Sequence, residues 1–104
     1  MIVEFRTYRL HPGKRDEFVA FFQEEALPRM QAVGMNITGV YTSIEDPDLF
    51  AYSRTWQSEE EKAEKWQAFY ESDAWLGGMF DKSMSLQQSF TAFFGTPTDK
   101  SPNR

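Results

Sequence analysis

The chain has 104 residues and a formal net charge of −5, with 40% hydrophobic, 16% aromatic and 26% charged residues. This length supports one folded domain, and the composition excludes a disordered chain. The absence of cysteine excludes disulfides and thiolate metal sites, and a single histidine argues against imidazole-based metal or haem sites, so we expect no metal and no cofactor.

The first predicted element is a strand at residues 2–10, where β-branched and aromatic side chains alternate with a period of two. This period places Glu4, Arg6 and Tyr8 on one face, with about 7 Å between neighbours. His11-Pro12-Gly13 ends the strand because proline has no N–H for the ladder and glycine allows a sharp change of direction.

A helical period follows from Lys14 to Gly34. Pro28 lies inside this segment and is expected to kink or split the helix, since its nitrogen cannot donate to the carbonyl of Glu24. Gly34 is placed where a helix C-terminal cap is expected.

The next segment predicts a β-hairpin, because two β-branched and aromatic runs flank a turn of acids and proline. The two strands and their turn are residues 35–44, 49–57 and 45–48. With this turn we expect Tyr41 opposite Tyr52 and Gly39 opposite Arg54, and a register shift of one residue would change both pairs.

A second helix begins after Ser58, which has capping-box spacing to Glu61 and three acids in the first turn. A short helical segment, weakened by Gly77-Gly78, precedes the last predicted strand at residues 86–94. We therefore expect a domain at residues 1–95 and a flexible tail at residues 96–104, which contains Gly, Pro, Ser, Asn and charged residues.

The predicted order is βαββαβ, which favours an α+β, ferredoxin-like subunit: a four-stranded antiparallel sheet with two main helices on one face. Both faces of the sheet carry large apolar side chains, so the face away from the helices would be an exposed apolar surface in a monomer and would promote association. The expected remedy is a homodimer that packs sheet against sheet. The pattern leaves open which face meets the helices.

The charge pattern argues against two other classes of partner. No basic cluster is longer than Lys14-Arg15, whereas nucleic acids and anionic membrane surfaces attract a basic stripe. No apolar run is long enough to span a bilayer, and Glu4 and Arg6 interrupt the N-terminal segment where a signal peptide would be apolar. We therefore expect a cytoplasmic protein that binds neither nucleic acid nor membrane.

The opening of the chain resembles the NIPSNAP family. The residues that carry the resemblance are Glu4-Phe5-Arg6-Thr7-Tyr8-Arg9-Leu10-His11-Pro12-Gly13-Lys14, then Glu17-Phe18, and Gly39-Val40-Tyr41-Thr42 in the second strand. Ser53 and Arg54 depart from it, since the family often has His or Trp there. The resemblance implies a dimeric α/β barrel, whose relatives include cofactor-free monooxygenases and isomerases and often bind a small aromatic ligand in a cleft between sheet and helices. The family itself has no established reaction.

Three residues of the first strand form the first candidate site. Arg6 could hold an anionic or enolate oxygen while Tyr8 donates a hydrogen bond and Glu4 orients Arg6. The alternative is a structural network, because a buried charge must be paired.

A second candidate site lies around Arg54, which could act with Arg6 and Tyr8 over a pocket left by Gly39, flanked by Tyr41 and Trp56. Alternatively, Arg54 stacks on an aromatic ring or pairs with a glutamate. Trp66 could form a wall of the ligand cleft or belong to the core.

The single histidine, His11, is the first residue type to consider for acid–base catalysis, but its place in a surface turn is the simpler explanation. Three functions remain open from the sequence. The first is a protein that binds a small aromatic or apolar molecule without catalysis. The second is a cofactor-independent monooxygenase or isomerase that stabilises an enolate. The third is a non-catalytic interaction dimer without a cavity.

Overall fold

Four strands form one antiparallel sheet in the computed structural model, which describes residues 1–103. The strands are β1 (Ile2–Leu10), β2 (Asn36–Thr42), β3 (Leu49–Trp56) and β4 (Gln87–Gly95). Their spatial order is β2-β3-β1-β4, with antiparallel pairing throughout. The predicted ferredoxin-like, α+β arrangement is therefore confirmed.

Helices cover one face of this sheet. They are α1 (Arg15–Phe21), a π-helical turn (Phe22–Ala26), α2 (Leu27–Ala32), α3 (Glu59–Tyr70), a second π-helical turn (Trp75–Met79) and α4 (Phe80–Leu86). No helix within residues 1–103 is long and apolar enough to cross a bilayer.

The helix predictions are confirmed at three points. The first helix is divided ahead of Pro28, which lies in the first turn of α2 where a missing N–H is tolerated. Gly34 follows the end of α2 with a φ of +90°, a left-handed conformation suited to glycine. The Ser58 side chain accepts a hydrogen bond of 3.1 Å from the Glu61 N–H and so caps α3.

The face of β1 that carries Glu4, Arg6 and Tyr8 lies against the helices, which answers the question that the pattern left open. Glu4 is fully buried and Tyr8 is buried, whereas Phe5 on the other face is 40% exposed. β3 presents four buried side chains to the same helix layer: Phe50, Tyr52, Arg54 and Trp56. The core of the domain is therefore the layer in which the candidate residues lie.

The predicted hairpin register is wrong by one residue. Tyr41 lies opposite Ala51 and Gly39 lies opposite Ser53. The shift arises at the turn, because the strand pair nearest to it is Thr42 opposite Phe50, with seven residues between them. Thr38 is the extra residue of a β-bulge farther along β2, and its hydroxyl hydrogen-bonds the Ser53 hydroxyl across 2.7 Å. The predicted turn of four residues therefore places the hairpin pairs one residue out of register, and the bulge beyond Gly39 brings Ile37 opposite Arg54.

The corrected register removes the pocket that we expected between Gly39 and Arg54. Arg54 is paired with Ile37 and faces the helices. Gly39 opens onto the other face, where the Tyr41 ring occupies the space that a Cβ at Gly39 would take. The missing side chain therefore lets an aromatic ring pack against the sheet from outside.

The last strand, β4, ends at Gly95, and the division into a domain and a tail stays a prediction. After β4, the Thr96 hydroxyl donates to the Met1 carbonyl oxygen over 3.1 Å. The mobility of residues 96–104 stays a prediction, and residue 104 lies outside the described residues.

Candidate functional site

The buried charges form one cluster between β1, β3 and the helices. Arg54 Nε lies 2.6 Å from Glu4 Oε1, and Arg54 Nη2 lies 3.0 Å from Glu4 Oε2. Trp56 Nε1 donates a third hydrogen bond of 3.1 Å to Glu4 Oε1. Because both carboxylate oxygens of Glu4 accept from Arg54, this pair has the bidentate geometry of a strong ion pair.

A second guanidinium shares the same carboxylate. Arg6 Nε lies 2.9 Å from Glu4 Oε2, although the angle does not give a proper N–H···O hydrogen bond. Within residues 1–103 no other carboxylate forms an ion pair with Arg6 or Arg54. Two cations and one anion leave one positive charge in excess, and Arg6 carries it because Arg54 is neutralised by its bidentate pair.

Aromatic rings surround the Arg54 guanidinium. Arg54 Nη2 donates to the Tyr70 hydroxyl over 2.9 Å, and the guanidinium carbon lies 4.8 Å from the centre of a Trp66 ring. The guanidinium also contacts the sulfur of Met35. Arg54 therefore fits the alternative of a stacked and paired structural arginine.

A cavity of about 190 Å³ lies beside Arg6, between the sheet and the helices α1, α3 and α4. Its lining is mostly aromatic and aliphatic: Arg6, Tyr8, Phe18, Phe21, Phe22, Ala26, Met30, Tyr52, Trp66, Tyr70, Trp75, Phe80, Ser83, Met84, Gln87 and Phe90. Phe80, Met84 and Phe90 are about half exposed and mark its mouth. Among these lining residues none is Asp, Glu or His.

Arg6 enters the cavity between two rings. Its guanidinium carbon lies 4.9 Å from the centre of the Phe90 ring and 5.5 Å from the Trp66 ring. Arg6 Nη1 donates to the Tyr8 hydroxyl over 3.2 Å. Since that hydroxyl oxygen accepts from Arg6, its own proton is free to donate to a bound molecule.

Two further polar groups lie in the lining without a hydrogen-bond partner in the described structure. They are the hydroxyl of Tyr52 and the side-chain oxygen of Gln87, and both residues are more than nine-tenths buried. A buried polar group without a partner is destabilising, and such groups are uncommon in folded proteins. A ligand in the cavity would supply the missing partners.

Two tyrosines of the cavity, Tyr8 and Tyr52, have a raised pKa and stay protonated over the physiological range. Burial raises the pKa of Tyr8, and the nearby charge of Arg6 only partly offsets this. Burial raises the pKa of Tyr52 still further, well above its usual value, and the neighbouring Tyr70 and Tyr8 add to the effect. Both phenols therefore act as hydrogen-bond donors and not as bases.

These raised pKa values predict a loss of stability at high pH. In the unfolded chain the tyrosines ionise near pH 10, whereas Tyr8 and Tyr52 resist ionisation in the folded protein. The free energy of unfolding is therefore unaffected by these two groups below about pH 10 and falls as the pH rises above it. We expect the urea midpoint to fall with pH above this value, and to fall less steeply in Tyr52→Phe. An equal slope in the wild type and in Tyr52→Phe would contradict the burial of an un-ionised phenol.

The structure brings only part of the predicted site together. Arg6, Tyr8 and Trp66 line the cavity, while Glu4, Arg54 and Trp56 form the ion-pair layer behind them. Tyr41 lies on the opposite face of the sheet and is 49% exposed. His11 is exposed, lies in the turn after β1 and is not part of the lining.

Sequence reasoning missed four polar residues of the cavity: Tyr52, Tyr70, Ser83 and Gln87. The period of two in β3 puts Tyr52 on the same face as Arg54, so that signal was present. No sequence signal marked Gln87 as a cavity residue, because it is the first residue of β4 and follows directly on the end of α4 at Leu86.

Comparison with models of known protein families gives a match over almost the whole chain. The NIPSNAP family model matches residues 3–102. The chain belongs to the NIPSNAP family. No protein of curated function matches it.

Solved structures of other NIPSNAP proteins share this fold. A NIPSNAP family protein from Agrobacterium tumefaciens is 27% identical, with a TM-score of 0.86 over 99% of this chain and 98% of its own. A NIPSNAP domain protein from Burkholderia xenovorans is 20% identical, with a TM-score of 0.86 over 98% and 99%. An antibiotic biosynthesis monooxygenase, 11% identical, has a TM-score of 0.71 over 94% and 99%, a likeness that concerns the fold alone.

Proposed function

We propose that this NIPSNAP protein binds a small organic anion with an apolar or aromatic body in the cavity between sheet and helices. The observation that carries the proposal is the excess positive charge at Arg6, which faces an apolar cavity with no carboxylate of its own.

The charge argument rests on the cost of desolvation. Arg6 is 13% exposed, and a charge in such a place is stable only when it is paired. Glu4 already accepts two hydrogen bonds from Arg54 and one from Trp56, so its capacity to neutralise Arg6 is limited. An anionic oxygen from a ligand would complete the pairing in a site of low dielectric constant, where the attraction is strong.

The hydroxyl groups support the same conclusion. Tyr8 and Tyr70 each have a proton available to donate, because their oxygens accept from Arg6 and Arg54, and the Tyr52 hydroxyl lies beside that of Tyr8. Hydrogen-bond donors around a guanidinium are suited to an anionic oxygen. The apolar remainder of the lining is suited to a hydrocarbon or aromatic body.

A pair of probes with nearly the same shape tests this proposal. Benzoate and benzamide differ in charge, so calorimetric titration of both into the wild-type protein measures the preference for an anion. We expect benzoate to bind at least about tenfold more tightly, as hydrogen bonds to charged groups are stronger than neutral ones. Equal affinity for the two, or saturable binding of benzamide alone, would contradict an anion site.

Cofactor-independent catalysis is a second candidate, favoured by the convergence of Arg6, Tyr8 and Tyr52 on one space. Such donors would stabilise an enolate in an oxygenase or isomerase reaction. The described lining offers no base, so the substrate would have to arrive already ionised. A substrate turned over by the wild type, and bound but not turned over by Tyr52→Phe, would support catalysis over binding alone.

We also propose that the chain forms a homodimer through the open face of its sheet. A row of exposed rings crosses that face: Tyr41 stacks on Phe5 with ring centres 6.2 Å apart, and Phe5 is paired with Phe93, which is 66% exposed. An apolar row of this kind is suited to a second copy of itself. This contact would also serve an interaction dimer without ligand.

Sedimentation of two lysine variants tests the dimer. Phe93→Lys should give a monomer, while Leu76→Lys, equally exposed at 65% but within the second π-helical turn of the helix layer, should remain a dimer. A wild type that is monomeric at all concentrations would contradict the proposed interface.

Two further proposals concern the whole chain. We propose a cytoplasmic location, which the lack of cysteine supports, and a division into a domain at residues 1–95 and a tail after it. Cell fractionation tests the first, and limited proteolysis that removes only the tail tests the second.

A further inference from the structure

The second unpartnered group of the cavity lies away from Arg6. Gln87 on β4 lies opposite Leu10 on β1, four residues beyond Arg6. The Cα atoms of Arg6 and Leu10 are about 13 Å apart along the strand. The side chains of Arg6 and Gln87 line the same cavity. A molecule held at Arg6 by one end therefore reaches toward Gln87 with the other.

The amide of Gln87 is fixed by its neighbour on α4. Gln87 Nε2 donates to the Ser83 hydroxyl over 3.0 Å, and both side chains are buried. This hydrogen bond leaves Gln87 Oε1 as an acceptor without a partner. Because a buried carbonyl oxygen gains from a donor, this end of the cavity selects for a hydroxyl or amino group.

The volume limits the size of the occupant. An apolar cavity of about 150 Å³ holds one benzene molecule. The cavity beside Arg6, at about 190 Å³, therefore has room for one ring and small substituents.

From these observations we infer the substrate class, an inference that rests on the proposed function. The ligand is a single-ring organic acid that carries a hydroxyl or amino group opposite its anionic oxygen. Arg6, with Tyr8 and Tyr52, holds the anionic oxygen, and Gln87 Oε1 accepts a hydrogen bond from the distal group.

A series of para-substituted benzoates tests this inference on the native protein. 4-Hydroxybenzoate and 4-aminobenzoate can donate to Gln87, whereas 4-fluorobenzoate and 4-methoxybenzoate cannot. Calorimetric titration should show that 4-hydroxybenzoate and 4-aminobenzoate bind about tenfold more tightly than the two compounds that cannot donate. This is the effect of one hydrogen bond to a buried acceptor that otherwise has no partner.

Gln87→Met removes the acceptor and keeps a side chain of similar length. In this variant the preference for 4-hydroxybenzoate over 4-fluorobenzoate should disappear while 4-fluorobenzoate binds as before. Gln88→Met is the matched control, since the neighbouring Gln88 is exposed and should leave the preference intact.

The outcomes separate this inference from the proposed function. If the wild type binds benzoate but shows no gain for a para-donor, or if the gain persists in Gln87→Met, the assignment of Gln87 is overturned and the anion site survives. If no benzoate in the series binds, both the anion site and the ligand class are wrong.

Discussion

Replacement of Glu4 by Gln is expected to lower the free energy of unfolding by about 3–5 kcal/mol, the cost of leaving a buried charge without its partner. Glu4 is fully buried and is the only carboxylate in ion-pair contact with Arg6 and Arg54 among residues 1–103. Gln keeps the shape but removes the charge, so two guanidiniums would repel each other in the core. Urea denaturation followed by tryptophan fluorescence measures the effect.

Two further variants show whether charge is the cause. Glu25→Gln removes the carboxylate of an exposed ion pair with Lys82, for which we expect a change of less than about 1 kcal/mol. The double variant Glu4→Gln, Arg6→Met removes one of the two cations that Glu4→Gln leaves without a carboxylate. It should recover part of the lost free energy of unfolding, and the difference from the sum of the single variants is the coupling energy. If Glu4→Gln is no more harmful than Glu25→Gln, the buried ion-pair network does not stabilise the fold.

Replacement of Arg6 by Met is expected to weaken benzoate binding by about 100-fold and to leave benzamide binding nearly unchanged. The reason is that Arg6 carries the excess charge and a hydrogen bond to an ion contributes about 1.5–3 kcal/mol. Folding should survive, because Glu4 keeps its bonds to Arg54 and Trp56. Calorimetric titration of both probes measures the selectivity.

The matched control for this variant is Arg9→Met. Arg9 lies on the same strand but on the open face, where it is 46% exposed and pairs with Asp46. The control should bind benzoate as the wild type does. Unchanged benzoate affinity in a folded Arg6→Met would remove Arg6 from the site.

The fold was predictable because its signals are local. The period of two in β1 places Glu4, Arg6 and Tyr8 on one face. The features of the helices come from single residues, such as the Ser58 cap and the left-handed Gly34, which act within one turn.

The site was only partly predictable, because its geometry depends on contacts between distant segments. The pairing of Thr42 with Phe50 at the turn sets the hairpin register, so Gly39 and Tyr41 lie on the face away from Arg54. The sequence leaves Arg54 open between a ligand-binding cation and a stacked or paired arginine, and its pairing with Glu4, 50 residues away, is visible only in the structure. Such pairings depend on how the strands and helices pack, which a period or a turn length does not encode.

The central claim is that a small organic anion occupies the cavity beside Arg6, and the indole N–H signals of the three tryptophans test it most directly. Trp66 and Trp75 line the cavity, while Trp56 donates its indole N–H to Glu4 behind it. In ¹⁵N-labelled protein, we predict that benzoate shifts the Trp66 and Trp75 signals saturably, that the Trp56 signal moves less, and that benzamide has little effect. If neither benzoate nor 4-hydroxybenzoate causes a saturable shift of Trp66 or Trp75, the proposed anion site is contradicted.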